Sequence, residues 1–197
     1  LIWFLKTSND EHIVRMTARR LLEIDSGKEA LVKILIGRAI DKSLTDCSLA
    51  AIELLGEIET SEPIVNKTLT KLMSSSEESI AFYAARSLRA ITKDELSLQV
   101  LRRLSKAAED KYIRISANAI IGKLSYDNQS AIKSIIQIVE DLDNTDTAMR
   151  RDEPLCFYAY QVLSEISIDN TPVIHELCRL LKNDMHILNS VTKFWLA

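Results

Sequence analysis

Apolar residues recur along this chain at spacings that fit one face of a helix, and the whole pattern then repeats. Aligning its small residue places Ala18, Ala51, Ala84, Ala117 and Ala159 in register, spaced 33, 33, 33 and 42 residues apart. Four residues before each Ala stands Val14, Cys47, Ile80, Ile113 or Leu155. Two before it stands Met16, Leu49, Phe82, Ile115 or Phe157. Three and four after it come Leu21/Leu22, Leu54/Leu55, Ser87/Leu88, Ile120/Ile121 and Val162/Leu163. Seven after comes Ile58, Ile91, Leu124 or Ile166, with Ile24 one position short in the first copy. Such offsets trace an inward-facing helical stripe. The Ala is its small member, where a second helix approaches closely.

Each first helix is followed by a polar link and a second apolar-periodic stretch, such as EPIVNKTLTKLM or SAIKSIIQIVEDL. Pro63 and Pro172 sit where a first helical turn tolerates proline. Glu11, Glu77, Asp110 and Asp152 lie seven residues before the aligned Ala, where an acidic side chain suits the helix dipole and can accept unpaired backbone N–H groups. The unit is a helical hairpin, too small to bury both of its stripes alone, so neighbours are expected to stack. Units run over about 10–41, 44–75, 77–109, 110–143 and 152–183. Residues 1–7 read as the tail of a preceding unit and 184–197 as the start of another. The expectation is one all-α solenoid over 1–197, cut from a longer array, with a longer loop near 140–153.

The segment DKYIRISANAIIGKL, with Arg114 and Gly122, resembles a HEAT repeat. LTDCSLAAIELLGEI keeps Gly56 but lacks the Arg. The likeness covers essentially the whole chain and is closest to the short HEAT-like repeats of phycobilin lyases. LLEIDSGKEALVKILI also resembles repeats C-terminal to bacterial NACHT-type NTPase modules. The resemblance implies an α-α superhelix whose second helices line the concave surface.

Composition sharpens this picture. Only four Gly and three Pro among 197 residues disfavour a turn-rich β protein. A net charge of -3 argues against wholesale electrostatic binding to nucleic acid. Cys47, Cys156 and Cys178 are odd in number, far apart and without metal-ligand spacing, which suits reduced, packed thiols in a cytoplasmic protein. No apolar run approaches the roughly 20 residues that span a bilayer.

No catalytic motif stands out. Gly27-Lys28 lacks the glycine-rich run of a P-loop, and IHELC lacks the second His of a zinc hydrolase. His12, His175 and His186 are isolated from any nucleophile motif, and Phe82/Tyr83 and Phe157/Tyr158 read as packing residues. No metal or cofactor is expected. The candidate site is a basic ladder on the second helices: Lys33, Lys67, Lys71, Arg102, Lys106, Lys133, His175 and Arg179. Positions four apart share a helix face, so stacked hairpins would line an inner groove with positive charge. A second candidate is the loop pair Arg150 and Arg151, set against an acidic group.

These features lead to a non-catalytic, protein-binding scaffold or sensor module, suited to another protein or an acidic peptide and belonging to a larger NTPase-linked signalling protein. The alternative, from the resemblance, is a bilin lyase or lyase subunit. A third is nucleic-acid binding by the groove, against which stand the acidic balance and the fourth second helix, where Glu140, Asp141 and Asp143 outweigh Lys133.

Overall fold

The computed structural model describes residues 1–24, 28–41, 45–58, 62–124, 129–143 and 153–166. These residues form ten helices and no strand. The protein is all-α, as the periodicity predicts. The helices are α1 (Ile2–Thr7), α2 (Glu11–Leu22), α3 (Lys28–Ala39), α4 (Thr45–Glu57), α5 (Pro63–Leu72), α6 (Glu78–Thr92), α7 (Glu95–Ala107), α8 (Lys111–Leu124), α9 (Gln129–Asp143) and α10 (Glu153–Ile166). Two units are distinguished, Leu1–Leu101 and Arg102–Ala197.

In the first unit α2 packs on α4 and α4 on α6, so the predicted first helices lie side by side. The second helices α3 and α5 also touch. Each second helix lies against the first helix that follows it, α3 on α4 and α5 on α6. In the second unit α8, α9 and α10 pack mutually. Their shared core includes Ile115, Ile132, Ile135, Val139, Ala159 and Leu163.

All five aligned alanines are wholly shut from solvent, and the five residues four positions before them are buried. The predicted stripe is therefore the packing stripe. Two of its positions behave differently. Met16 is 68% exposed whereas Phe82 and Ile115, at the same offset, are buried. Two residues rotate a helix by about 200°, so this offset leaves the stripe and is covered only where another element reaches it. Ile24 lies past the end of α2 and Leu124 ends α8, and both are exposed.

Helix starts follow the acidic signals with a shift of register. Asp110 accepts from the N–H of Tyr112 at 2.7 Å and of Ile113 at 3.4 Å. At α2 the cap is Asp10, not Glu11, and it accepts from His12 N at 2.8 Å. Glu77 occupies the N-cap of α6 but its side chain makes no capping bond. The shorter Asp side chain reaches the first-turn N–H groups without added torsions. Pro63 opens α5, where its missing N–H costs nothing; Asp152 and Pro172 lie outside the described residues.

Two glycines mark close approach. A Cβ on Gly56 of α4 would stand 2.7 Å from Ser87 Cβ of α6, and one on Gly122 would stand 3.3 Å from Ile166 Cδ1. Both occupy the same place in the repeat, five residues after the aligned Ala.

Candidate binding cleft

The proposed basic ladder separates into distinct environments. On α3, Lys33 is paired with Glu29 one turn earlier, Nζ to Oε1 2.6 Å, and both side chains are about three-quarters exposed (73% and 77%). The hydrogen bond to Lys33, and then its charge, hold the Glu29 carboxyl below its ordinary range; the same contact raises Lys33. On α5, Lys67 and Lys71 are exposed, one turn apart. Arg102 is exposed on α7. His175, Arg179, Arg150 and Arg151 lie outside the described residues, as do Cys178 and His186. Cys47 and Cys156 are buried and unbridged.

Lys106 and Lys133 come together. They line a cleft of about 680 Å³ in the second unit, with Arg114, Gln137, Ser130 and Asp141 among the other contributors. The last turn of α7 supplies Ser105 and Lys106, α8 supplies Arg114, and one face of α9 supplies the rest, from Gln129 to Asp141. Asn118 secures the corner where α7 meets α8. It is buried, and its Nδ2 donates to the carbonyls of Ser105 at 3.2 Å and Arg114 at 2.9 Å.

The polar groups of the cleft differ in how far they are committed. Ser134 Oγ donates to the Ser130 carbonyl and Ser105 Oγ to the Arg102 carbonyl, each at 2.9 Å. Both hydroxyls thus spend their protons on their own helices. Asp141 accepts from Gln137 Nε2 at 2.9 Å. Among the described residues Lys106, Lys133 and Arg114 enter no ion pair. Arg114 Nε is shut from solvent with no hydrogen-bond partner. The Nε atoms of Arg38 and Arg89, outside the cleft, are in the same state.

Gln137 falls in the ladder register, twenty residues after the aligned Ala, whereas Arg114, Gln129 and the hydroxyl groups on α9 were not among the ladder residues expected from sequence. Arg114 is visible there only as the Arg of the HEAT-like motif. That it lines the same cleft as Lys106 depends on how α7, α8 and α9 pack. Among the described residues no group of three or more His, Cys, Asp and Glu is placed to hold a metal ion.

Several charges on neighbouring first helices pair with one another. Glu53 of α4 is bound by Arg15 of α2 and by Arg86 of α6, the latter at 3.3 Å. Arg19 pairs with Glu57 at 3.1 Å, and Lys123 with Glu165 at 2.7 Å. The hydrogen bond from Arg19 to Glu57, then the Glu57 charge, raises the arginine further. Tyr158 stacks at a tilt on Tyr112, centroids 5.7 Å apart, and its hydroxyl meets Ser116 Oγ at 2.7 Å. These are contacts between neighbouring first helices, so Tyr158 serves packing between them; Phe82 is buried in α6 and stacks edge-on with Tyr83, centroids 5.4 Å apart, and Phe157 is half-buried.

The residues described so far define an all-α protein of packed helices, with a polar, cation-lined cleft in its second unit. No family model matches the chain, and no curated protein matches it. Among solved structures it is similar to a crystal structure of an engineered protein, at 19% identity over 96% of this chain and 86% of that one, with a TM-score of 0.36. Among the described residues, no helix is long and apolar enough to cross a membrane.

Proposed function

We propose that this chain is a HEAT-like α-solenoid working as a non-catalytic scaffold, which takes an acidic segment of another protein into the cleft of its second unit. The single observation that carries the reading is the lining of that cleft: Lys106, Arg114 and Lys133, outside every ion pair among the described residues, face one acid, Asp141, already held by Gln137. An acidic segment would supply acceptors to Lys106 and Lys133, both exposed, at little cost in desolvation. The repeat reading is supported by the five fully buried aligned alanines and by the side-by-side packing of α2, α4 and α6. By the resemblance, a chain of this kind is at home in a larger NTPase-linked signalling protein.

The test is binding of glutamate-rich synthetic peptides to the wild-type chain and to Lys106→Glu/Lys133→Glu, followed by fluorescence anisotropy at low salt. Both side chains are exposed, so the double variant is expected to keep the wild-type circular dichroism. It is expected to lose at least about tenfold in affinity, since reversing two charges that face an acidic ligand replaces attraction with repulsion. Undiminished binding by the folded double variant overturns the proposal. So does a preference for duplex nucleic acid over the peptides.

A further inference from the structure

Lys106 and Lys133 reach one cleft from two different helices, so whatever fixes those helices fixes the pair. Resting on the scaffold reading above, we infer that Asn118 is a positioning residue of the cleft. It holds the last turn of α7, and with it Lys106, in the place from which that lysine serves an acidic partner.

α8 and α9 are joined by apolar packing, through Ile115, Ala119, Ile132, Ile135 and Val139. The last turn of α7 is tied to α8 by a polar contact. Ser105 is one of the last four residues of α7, whose carbonyls have no partner within the helix. Asn118 Nδ2 donates to the Ser105 carbonyl at 3.2 Å, 13 residues back along the chain, and to the Arg114 carbonyl of its own helix at 2.9 Å. Asn118 therefore caps α7 from α8. The capped residue is the one immediately before Lys106. Asn118 is buried and lies outside the cleft lining, so it acts on a ligand through Lys106 and not by contact.

Packing alone does not require an amide here. One residue after the aligned Ala the other copies carry Arg19, Ile52, Ala85 and Tyr160. Ile52 and Ala85 are wholly buried, so an apolar side chain fills this place with no polar demand. A buried amide is costly unless its hydrogen bonds are met, and once met they hold its partners in one arrangement. In this copy the amide stands where the preceding helix delivers Lys106 to the cleft. Removing the donor releases the Ser105 carbonyl, and the exposed Lys106 after it, from a fixed place on α8.

A double-mutant cycle separates positioning from a general effect on folding. Affinity of the whole 197-residue chain for the glutamate-rich peptides is read by isothermal titration calorimetry, with circular dichroism checking the fold of each variant. Lys106→Ala is expected to lose about fivefold in affinity, and Asn118→Leu a similar amount although it removes no charge. The double variant is expected to be no more than about twofold weaker than Lys106→Ala, because Asn118 acts through that lysine. Asn118→Thr keeps a hydroxyl bond to its own helix but does not reach Ser105. It is expected to match Asn118→Leu, and takes its place in the cycle if Asn118→Leu does not fold. Ser87→Ala, which removes a buried hydroxyl-to-carbonyl bond in the first unit, is expected to bind as the wild type does. Losses that multiply in the double variant, or undiminished binding by the folded Asn118 variants, overturn the positioning role and leave the scaffold reading standing. A loss in Ser87→Ala equal to that in Asn118→Leu also overturns the positioning role. Failure of the wild-type chain to bind the peptides overturns both.

Discussion

Ser87 Oγ donates a 2.9 Å hydrogen bond to the Ile52 carbonyl, reaching from α6 to α4 at the point where Gly56 leaves room for Ser87 itself. The bond is buried, and the Ser87 backbone lies so near that a Cβ on Gly56 would sit 2.8 Å from Ser87 Cα. Serine replaces the larger apolar residue that other repeats carry at this position, and glycine opposes it. The pair sets how closely two first helices approach.

Gly56→Ala is accordingly expected to destabilise the protein by about 1–3 kcal/mol, because the obstructing atoms include backbone and the helices must part. Gly37→Ala is the contrasting case: nothing lies within 4 Å of the added Cβ, and Gly37 is exposed within α3. There the change is expected to stabilise by about 0.5–1 kcal/mol through helix propensity. Urea denaturation of the two variants checks both signs.

Lys93 ends α6 in the left-handed region, φ 54°, the one positive-φ residue among those described. Arg89 closes the turn by donating to the Lys93 carbonyl at 2.5 Å and the Asp94 carbonyl at 3.1 Å. Lys93→Gly is expected to raise stability by about 0.5–1 kcal/mol, since glycine adopts this conformation without steric cost. Lys93→Val is expected to lower it. Thermal melts of the two variants provide the measurement.

The ion pairs between first helices are expected to differ in weight. Glu53 is only 19% exposed and serves two arginines, of which Arg15 is 24% exposed. Glu53→Gln is expected to cost about 1–3 kcal/mol, the range for charged hydrogen bonds left unmet. Lys123 and Glu165 are 54% and 44% exposed, and removing that pair is expected to cost under about 1 kcal/mol. Double-mutant cycles in low and high salt separate the two, with the exposed pair the more screened.

The Glu29–Lys33 pair gives a pH dependence of known sign. Glu29 is held below its ordinary pKa by Lys33, so its small contribution is present above the unfolded value and lost as pH falls through the lowered one. Lys33 is raised, so its contribution is present below the ordinary lysine value and lost as pH climbs through the raised one. NMR titration of the Glu29 carboxyl is expected to show the depression, and Lys33→Met to abolish it. An unchanged Glu29 titration in that variant would remove Lys33 as the cause.

Much of the fold was legible from spacing, because burial in a helix obeys a short period. The aligned alanines, the residues four before them, and the existence of every described helix after α1 all follow from it. The capping residues were legible only to within a position: Asp10 caps where Glu11 was expected, since side-chain reach decides among neighbouring acids. The site was legible in part. Lys106 and Lys133 line one cleft, whereas Lys33 is drawn to Glu29, a pairing that its four-residue spacing already contained.

Sequence alone determined that this chain is helical, which stripe each helix buries, and where small residues admit a neighbour. Those properties are local and periodic, read within one or two turns. Tertiary structure alone decided that Arg114 shares a cleft with Lys106 and Lys133, and that Glu53 is gripped by arginines from two other helices. Such contacts join residues far apart along the chain, and their distances depend on how helices pack, which no single helix's pattern specifies.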